Sequence, residues 1–526
     1  MKIFPLLFVL YLSSINVQIN NAEIDCTIYD NDLDIININP FYVSLYLSLF
    51  STSVKYDETL HVTEFNIFND ANPSSSIYCL KNLQRLQLSN TNLTILPDIK
   101  NFQKLTSLSI DTDNGTIDQH LPSELGQLIS LSNLKLSNIK NLQDLPNEIK
   151  YLIQLQSLTL QNMPNFNKIP DESIGKLTNL NTLTLSGLPY LSNIPSTMNN
   201  FQLLRQLEIT RTNVDNLQLE NLVSLYDLKI TYNLILQTIQ ITNMLKLYSI
   251  DIEYNNELLT LILQNLSSLQ TLTISSNTEL VSLDIENLSS LQTISITNSA
   301  QLKNITLKKF SRLDSLQLNS LSNLELISFE NAPLLSTITI TSSPRLKTIS
   351  FFDLPSIKNL DLSGCQLTTF PESILKLKSL TKLVMTSNQL SALPLTLSTD
   401  LPYLQVLNLV NNKFQENIFQ PPLVYIRELY LSNNSLTSID GIGNYKSLQQ
   451  LELNFNKISS IPLEIMKLSS TLTGITINYN LLNRIPYPMA NMRSLKTFFA
   501  TNNNIPNNER QYLYSLFNKS PIKATF

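Results

Sequence analysis

Tryptophan is absent from the 526 residues; glycine (8), cysteine (3) and histidine (2) are scarce. The two histidines, His61 and His120, stand far apart, so neither an H-E-x-x-H zinc site nor a histidine pair for acid–base work is encoded. Phosphate-cradling loops are missing as well. "GIGNYK" (441–446) has two of the three glycines of a dinucleotide fingerprint, and "GKL" (175–177) lacks the upstream Gly and the Ser or Thr of a phosphate loop. Three cysteines form no paired C-x-x-C motif. Charge is also sparse, with 36 basic against 41 acidic residues, net −5, and no run of five like charges. Nucleic acid is therefore excluded as a partner, because phosphate binding needs clustered Lys and Arg. No catalytic residue, metal ligand or cofactor is assigned, and an enzyme is not expected.

Long apolar runs are missing too. The stretch "IFPLLFVLYL" (3–12), preceded by Lys2, is half the roughly 20 residues a spanning helix needs. It reads as the core of a secretory signal over residues 1–22, with Ala22 last and the mature chain starting near Glu23. The polar end "NKSPIKATF" lacks the tail of a lipid-anchor signal, so stable membrane insertion is not expected.

What is present is repetition. "LQQLELNFNKISSIP" (448–462) contains L-x-x-L-x-L-x-x-N, and the pattern recurs from Leu83 to Leu495 in nineteen copies. Successive starts are 21 to 26 residues apart, and the six steps from Leu225 to Ile357 are all 22. A degenerate copy precedes them, with Val62, Phe65 and Ile67 apolar and Asp70 at the Asn position. The x-L-x-L alternation specifies a strand whose leucines point inward. The Asn then follows at a buried turn, where an amide can both donate to and accept from the backbone. That position holds Asn in nine copies, from Asn233 to Asn503, but Ile139, Met163, Leu188 and Leu321 break the rule.

This pattern resembles the leucine-rich repeat family over roughly residues 60 to 505. The resemblance implies an α/β repeat solenoid, a horseshoe with a parallel sheet on its concave face. Its organisation is read as an N-terminal cap at 23–82, the solenoid at 83–505 and a C-terminal cap at 506–526. The cap includes the apolar "FYVSLYLSLF" (41–50), and "NNERQYLYSLF" (507–517) is expected as a helix capped by Asn507 or Asn508. End copies such as "LTTFPESILKLKSL" (367–380) open a helical turn at Pro371 on the convex side. Central copies lack that Pro and alternate, as in Leu283-Asp284-Ile285 and Leu258-Leu261-Leu263. The convex side is therefore expected to be extended from about 225 to 355, and less curved there.

Cys26 and Cys79 both fall in the N-terminal cap, where family members often carry a bridge. A disulfide and two buried thiols are both open readings. Cys365, at an Asn position, is a structural thiol. Asn92, Asn114, Asn265, Asn287 and Asn304 are candidate glycosylation sites, whereas the Asn433 sequon falls on the concave sheet.

Function then rests on a surface. Most outward sheet positions are small and polar, such as Thr271, Thr273 and Ser275. Three copies differ, presenting Arg205, Glu208, Arg211, Tyr226, Asp227, Lys229, Tyr232, Tyr248, Asp251, Glu253 and Tyr254. Tyr and Arg combine contact area with directed polar groups, which makes this the candidate ligand-binding patch. Arg427, Glu428, Tyr430, Glu452, Phe455 and Tyr479 form a second cluster. The expected role is extracellular recognition of a protein ligand. The alternatives are a structural or glycan-binding surface protein and, if the signal is unused, an intracellular scaffold.

Overall fold

The computed structural model describes residues 24–38, 52–71, 73–91, 95, 97–112, 119–415 and 418–526. The signal segment, the 41–50 stretch, Asp113 and the Asn92 and Asn114 sequons lie outside the described residues. Two compact units are present, divided between Leu180 and Asn181.

In the first unit, Ser53–Tyr56 pairs antiparallel with Val62–Phe68. From there the strands are parallel: Arg85–Ser89, Ser107–Asp111, Asn133–Ser137 and Ser157–Gln161 join in succession. The inward leucines and isoleucines are almost fully buried, as alternation requires. Opposite them the chain makes short helical turns, such as Ser123–Gln127 and Asn147–Tyr151, each entered through a proline at the N-cap. Cys26 and Cys79 are joined by a disulfide, their Cα atoms 5.4 Å apart. Asp32 Oδ2 accepts the Val62 N–H at 2.8 Å, and His61 lies 3.5 Å from the same carboxylate.

The second unit continues the pattern from Thr182–Leu188 to Lys523–Thr525, every main-sheet strand parallel to its neighbour. Strands are five residues long from Asp227–Thr231 to Thr337–Thr341 and three from Asn359–Asp361 onward. A second set of strands occupies the opposite side of the central coils. The first of these is Asn216–Glu220, one coil earlier than the expected start near 225, and the last is Thr348–Phe352. The alternation of Leu217 and Leu219 explains the earlier start. Beyond them the short turns return, for example Glu372–Lys376 and Leu463–Leu468.

The apolar exceptions at the Asn position stay in the core. Ile139, Met163, Leu188 and Leu321 are all at most 1% exposed. Each follows a polar or glycine corner with positive φ: Asn138, Asn162, Gly187 or Ser320. The corner is thus kept while the buried position turns apolar. At the C-terminus the helix spans Asn507–Phe517, but its N-cap is Pro506 and no side chain caps it. Asn507 is therefore its first helical residue rather than its cap. Leu513 and Phe517 are buried beneath it, and Lys523–Thr525 then adds one more strand.

Candidate functional site

Register places the candidate patch on three adjacent strands of the second unit, Gln206–Thr212, Asp227–Thr231 and Ser249–Glu253. Because the strands are parallel and unshifted, equivalent residues stand in rows. Glu208, Lys229 and Asp251 form one row; Gln206, Asp227 and Ser249 form another. Desolvation, followed by the neighbouring Asp251 carboxylate, holds the Asp227 carboxyl above its ordinary range, and Lys229 opposes that rise. The centre of the patch is thus a dense mixture of both signs, next to strands such as Thr271–Ser275 and Thr293–Thr297 whose outward residues are Ser and Thr.

Aromatic pairs flank these charges. Tyr226 and Tyr248 stack with ring centres 4.9 Å apart and planes 10° from parallel. Tyr232 and Tyr254 stack at 4.5 Å and 5°. The Arg211 guanidinium continues the second column, 4.9 Å from the Tyr232 ring centre. Six residue steps separate the two columns, about 20 Å at ~3.3 Å per step. A cavity of about 620 Å³ adjoins the first column, lined in part by Leu203, Arg205, Tyr226 and Lys246.

The second column has a backbone peculiarity that alternation does not reveal. Its residues occupy the corner at the end of the strand, within it at Arg211 and just after it at Tyr232 and Tyr254, where φ is +51°, +58° and +56°. Elsewhere in this column the left-handed corner is Asn, Ser or Gly, as at Asn162, Gly187, Ser276 and Asn298. Left-handed backbone costs an ordinary L-residue ~1–2 kcal/mol, while Gly and Asn tolerate it. The other bulky corners are Phe455 (+56°) and Tyr479 (+55°), and these also stack, at 4.3 Å and 8°. Bulky residues in the corner column thus occur in two contiguous runs, one in each candidate cluster.

In the second cluster the Tyr430 hydroxyl donates to Glu428 at 2.8 Å; burial and that carboxylate push it up to about 12. Burial also raises Glu452. Arg427 is exposed on the same strand edge. No group of three or more His, Cys, Asp or Glu able to hold a metal occurs among the described residues. His120 is paired with Asp144 at 2.7 Å in the first unit. Cys365 is fully buried; its thiol donates to Ile340 O at 3.3 Å and is pushed up to about 11 by burial. Of the sequons, Asn265, Asn287, Asn304 and Asn433 are exposed, the last at a main-sheet corner with φ +55°. No helix among the described residues is long and apolar enough to cross a membrane.

These coils, with inward Leu columns, a parallel ladder and Asn-filled corners, define a leucine-rich repeat solenoid. Residues 426–464 match the family model for leucine-rich repeats in two copies. The chain has the fold of leucine-rich repeat proteins. It is 35% identical over 105 residues to an uncharacterized leucine-rich repeat-containing protein of Schizosaccharomyces pombe; the match spans 19% of this chain and 17% of that one. Among solved structures, a leucine-rich repeat protein of Leptospira interrogans aligns at 23% identity over 87% of this chain and 93% of its own, with a TM-score of 0.30. The Arabidopsis receptor kinase HAESA, in complex with the peptide hormone IDA and the co-receptor SERK1, aligns at 20% over 82% and 72%, with a TM-score of 0.36. At these TM-scores the alignments carry no argument about ligand.

Proposed function

We propose that this protein is a non-enzymatic recognition module of the extracellular space, which binds a protein ligand through the main sheet of its second unit. The observation that supports this most is the strained corner column Arg211, Tyr232 and Tyr254. One stacked pair of exposed rings returns about 0.5–1.5 kcal/mol, no more than the left-handed backbone of one of its two residues costs. The column therefore adds little net stability, and rings held at such a corner suit a partner better than a fold. Arg and Tyr at the ends of a charged strip are the residue types on which binding energy concentrates. Export is supported by the apolar N-terminal run and by the Cys26–Cys79 bridge, since such bonds persist in oxidising compartments.

The test begins with protein purified from culture medium together with whatever co-purifies. A chain starting near Glu23 with a single free thiol is expected. Intact Met1 and three free thiols would return the protein to the intracellular scaffold reading. Against the identified partner, Tyr226→Ser/Tyr248→Ser should weaken binding by ~2 kcal/mol or more per productive ring. Unchanged affinity in the folded double variant would remove the patch.

A further inference from the structure

The second sheet of the central coils is not continuous. It consists of a three-stranded part ending at Thr260–Gln264 and a four-stranded part beginning at Ser282–Glu286. On either side of this step the ladder is regular: Asn243 N–H donates to Gln264 O at 3.1 Å and Asn287 N–H to Lys308 O at 3.2 Å. Among the described residues no backbone bond links Asn265 to Glu286. The main sheet remains fully paired across the same step, Ser249–Glu253 with Thr271–Ser275. The two coils are thus closed on one face and parted on the other.

The parting opens a cleft of about 780 Å³, within the ~300–1,000 Å³ range of ligand sites. In the neighbouring coils the inward residues of these strands are sealed: Ile239, Ile241, Ile305 and Leu307 are all 0% exposed. Leu261 and Leu263 are only half-buried and line the cleft. Register with Thr238–Thr242 employs the backbone of Thr260, Ile262 and Gln264, so Leu261 and Leu263 direct theirs across the gap. By the same rule, Ser282, Asp284 and Glu286 direct theirs back. Two strand edges therefore face one another over an apolar floor, with the Asp284 and Glu286 carboxylates at the rim.

We propose that this cleft is a strand-addition site for an extended peptide segment of a partner protein, with alternating apolar and basic residues. An inserted strand needs its two neighbours about 9.5 Å apart, and these still approach within 8 Å, so the gap must widen as the segment enters. Once in, it would find hydrogen-bonding groups on both sides, which is how exposed sheet edges capture peptides. Its inward side chains would cover Leu261 and Leu263, and its outward ones would meet Asp284 and Glu286. The site is independent of the Tyr columns, which lie on the other sheet. The sequons at Asn265 and Asn287 border the cleft, so a glycan there would compete for the space.

The experiment uses the full chain carrying Asn265→Gln and Asn287→Gln and a fluorescent heptapeptide probe, KIKVKIT, with EIEVEIT as its acidic counterpart. Saturable binding of the basic peptide is expected. It should come with slowed amide exchange at Leu261, Leu263, Ser282, Asp284 and Glu286. Asp284→Lys/Glu286→Lys, verified as folded by its unchanged melting temperature, should weaken binding about tenfold from two lost exposed ion pairs. Tyr226→Ser/Tyr248→Ser should leave it unchanged. Absence of binding, equal binding of the acidic peptide, indifference to the charge reversal, or protection confined to other strands would overturn the proposal. Protection that appears with rising protein concentration and no peptide would overturn it in favour of a second copy as the occupant.

Discussion

The coils from Gln206 to Phe352 and those from Asn359 to Phe499 wind one repeat in two ways. In the later coils the main-sheet strands are three residues long, and from Asn388 onward an amide carries much of the backbone pairing at each corner. Asn456 is typical: its Nδ2 donates to the carbonyls of Leu431 (3.0 Å), Leu453 (3.1 Å) and Asn454 (3.3 Å), while its Oδ1 accepts the Leu436 N–H at 3.0 Å. Asn388, Asn412, Asn434, Asn480 and Asn503 repeat the scheme. In the central coils the amide series runs through Asn233, Asn255 and Asn277 and then stops. Ser299 and Ser343 replace it, each donating only to the carbonyl two residues back, at 3.3 Å. The other side of the coil is not what changes with them, because the coils of Asn233, Asn255 and Asn277 also carry a five-residue strand there, Thr238–Thr242, Thr260–Gln264 and Ser282–Glu286.

The largest expected effect tests the sealed core against the parted one. Leu453→Ala should cost ~2–5 kcal/mol and raise hydrogen exchange first across residues 425–480, because stability in such arrays is mostly nearest-neighbour. Leu263→Ala, half-buried at the cleft, should cost about 1 kcal/mol in the same denaturant titration. Equal losses would mean that the cleft is closed in solution.

Next come the corners. Asn456→Ala strands one N–H and several carbonyls and should cost ~1–3 kcal/mol, whereas Ser299→Ala should cost less than about 1 kcal/mol. A Ser299 effect matching that of Asn456 would mean that the four bonds of the amide add nothing to the single bond of the hydroxyl.

Tyr254→Asn exchanges lost stacking for relief at φ +56°. Thermal unfolding should place its stability within about 0.5 kcal/mol of the parent, since the two effects are of the same order. A larger loss would make the column a structural device of the sheet.

The smallest effect is electrostatic. Asp227 has its folded pKa raised, so the folded chain holds more protons than the unfolded one between the two values, and stability falls as pH rises through that window. Asp227→Asn should therefore raise the melting temperature slightly at neutral pH. The gain should vanish once the pH drops below the ordinary carboxylate range.

Much of this fold is written in apolar columns, because one-residue slippage would turn every leucine outward. Leu83 through Leu495 could be aligned for that reason, and the stacking of Tyr226 on Tyr248 followed from their shared column. Other features depend on backbone state. The left-handed corners leave a trace only as a column of Asn, Ser and Gly, visible when all coils are stacked; against it Tyr232 and Phe455 stand out. The break after Gln264 leaves no trace, since Leu258, Leu261 and Leu263 alternate like their neighbours. The helix start at Pro506 was obscured because Asn507 and Asn508 are also good caps.

The 22-residue spacing has a consequence for how such a chain can change. From Asp227 to Thr341 each main-sheet residue pairs with the one 22 positions away, and the opposite ladder obeys the same step. Excising or copying one such block in the regular stretch from Ser282 onward would join strand to like strand, with every inward column unbroken. Gain or loss of whole 22-residue blocks would therefore alter the length of this stretch without altering its register. Single-residue insertions, which shift every later pairing, would be the changes it rejects.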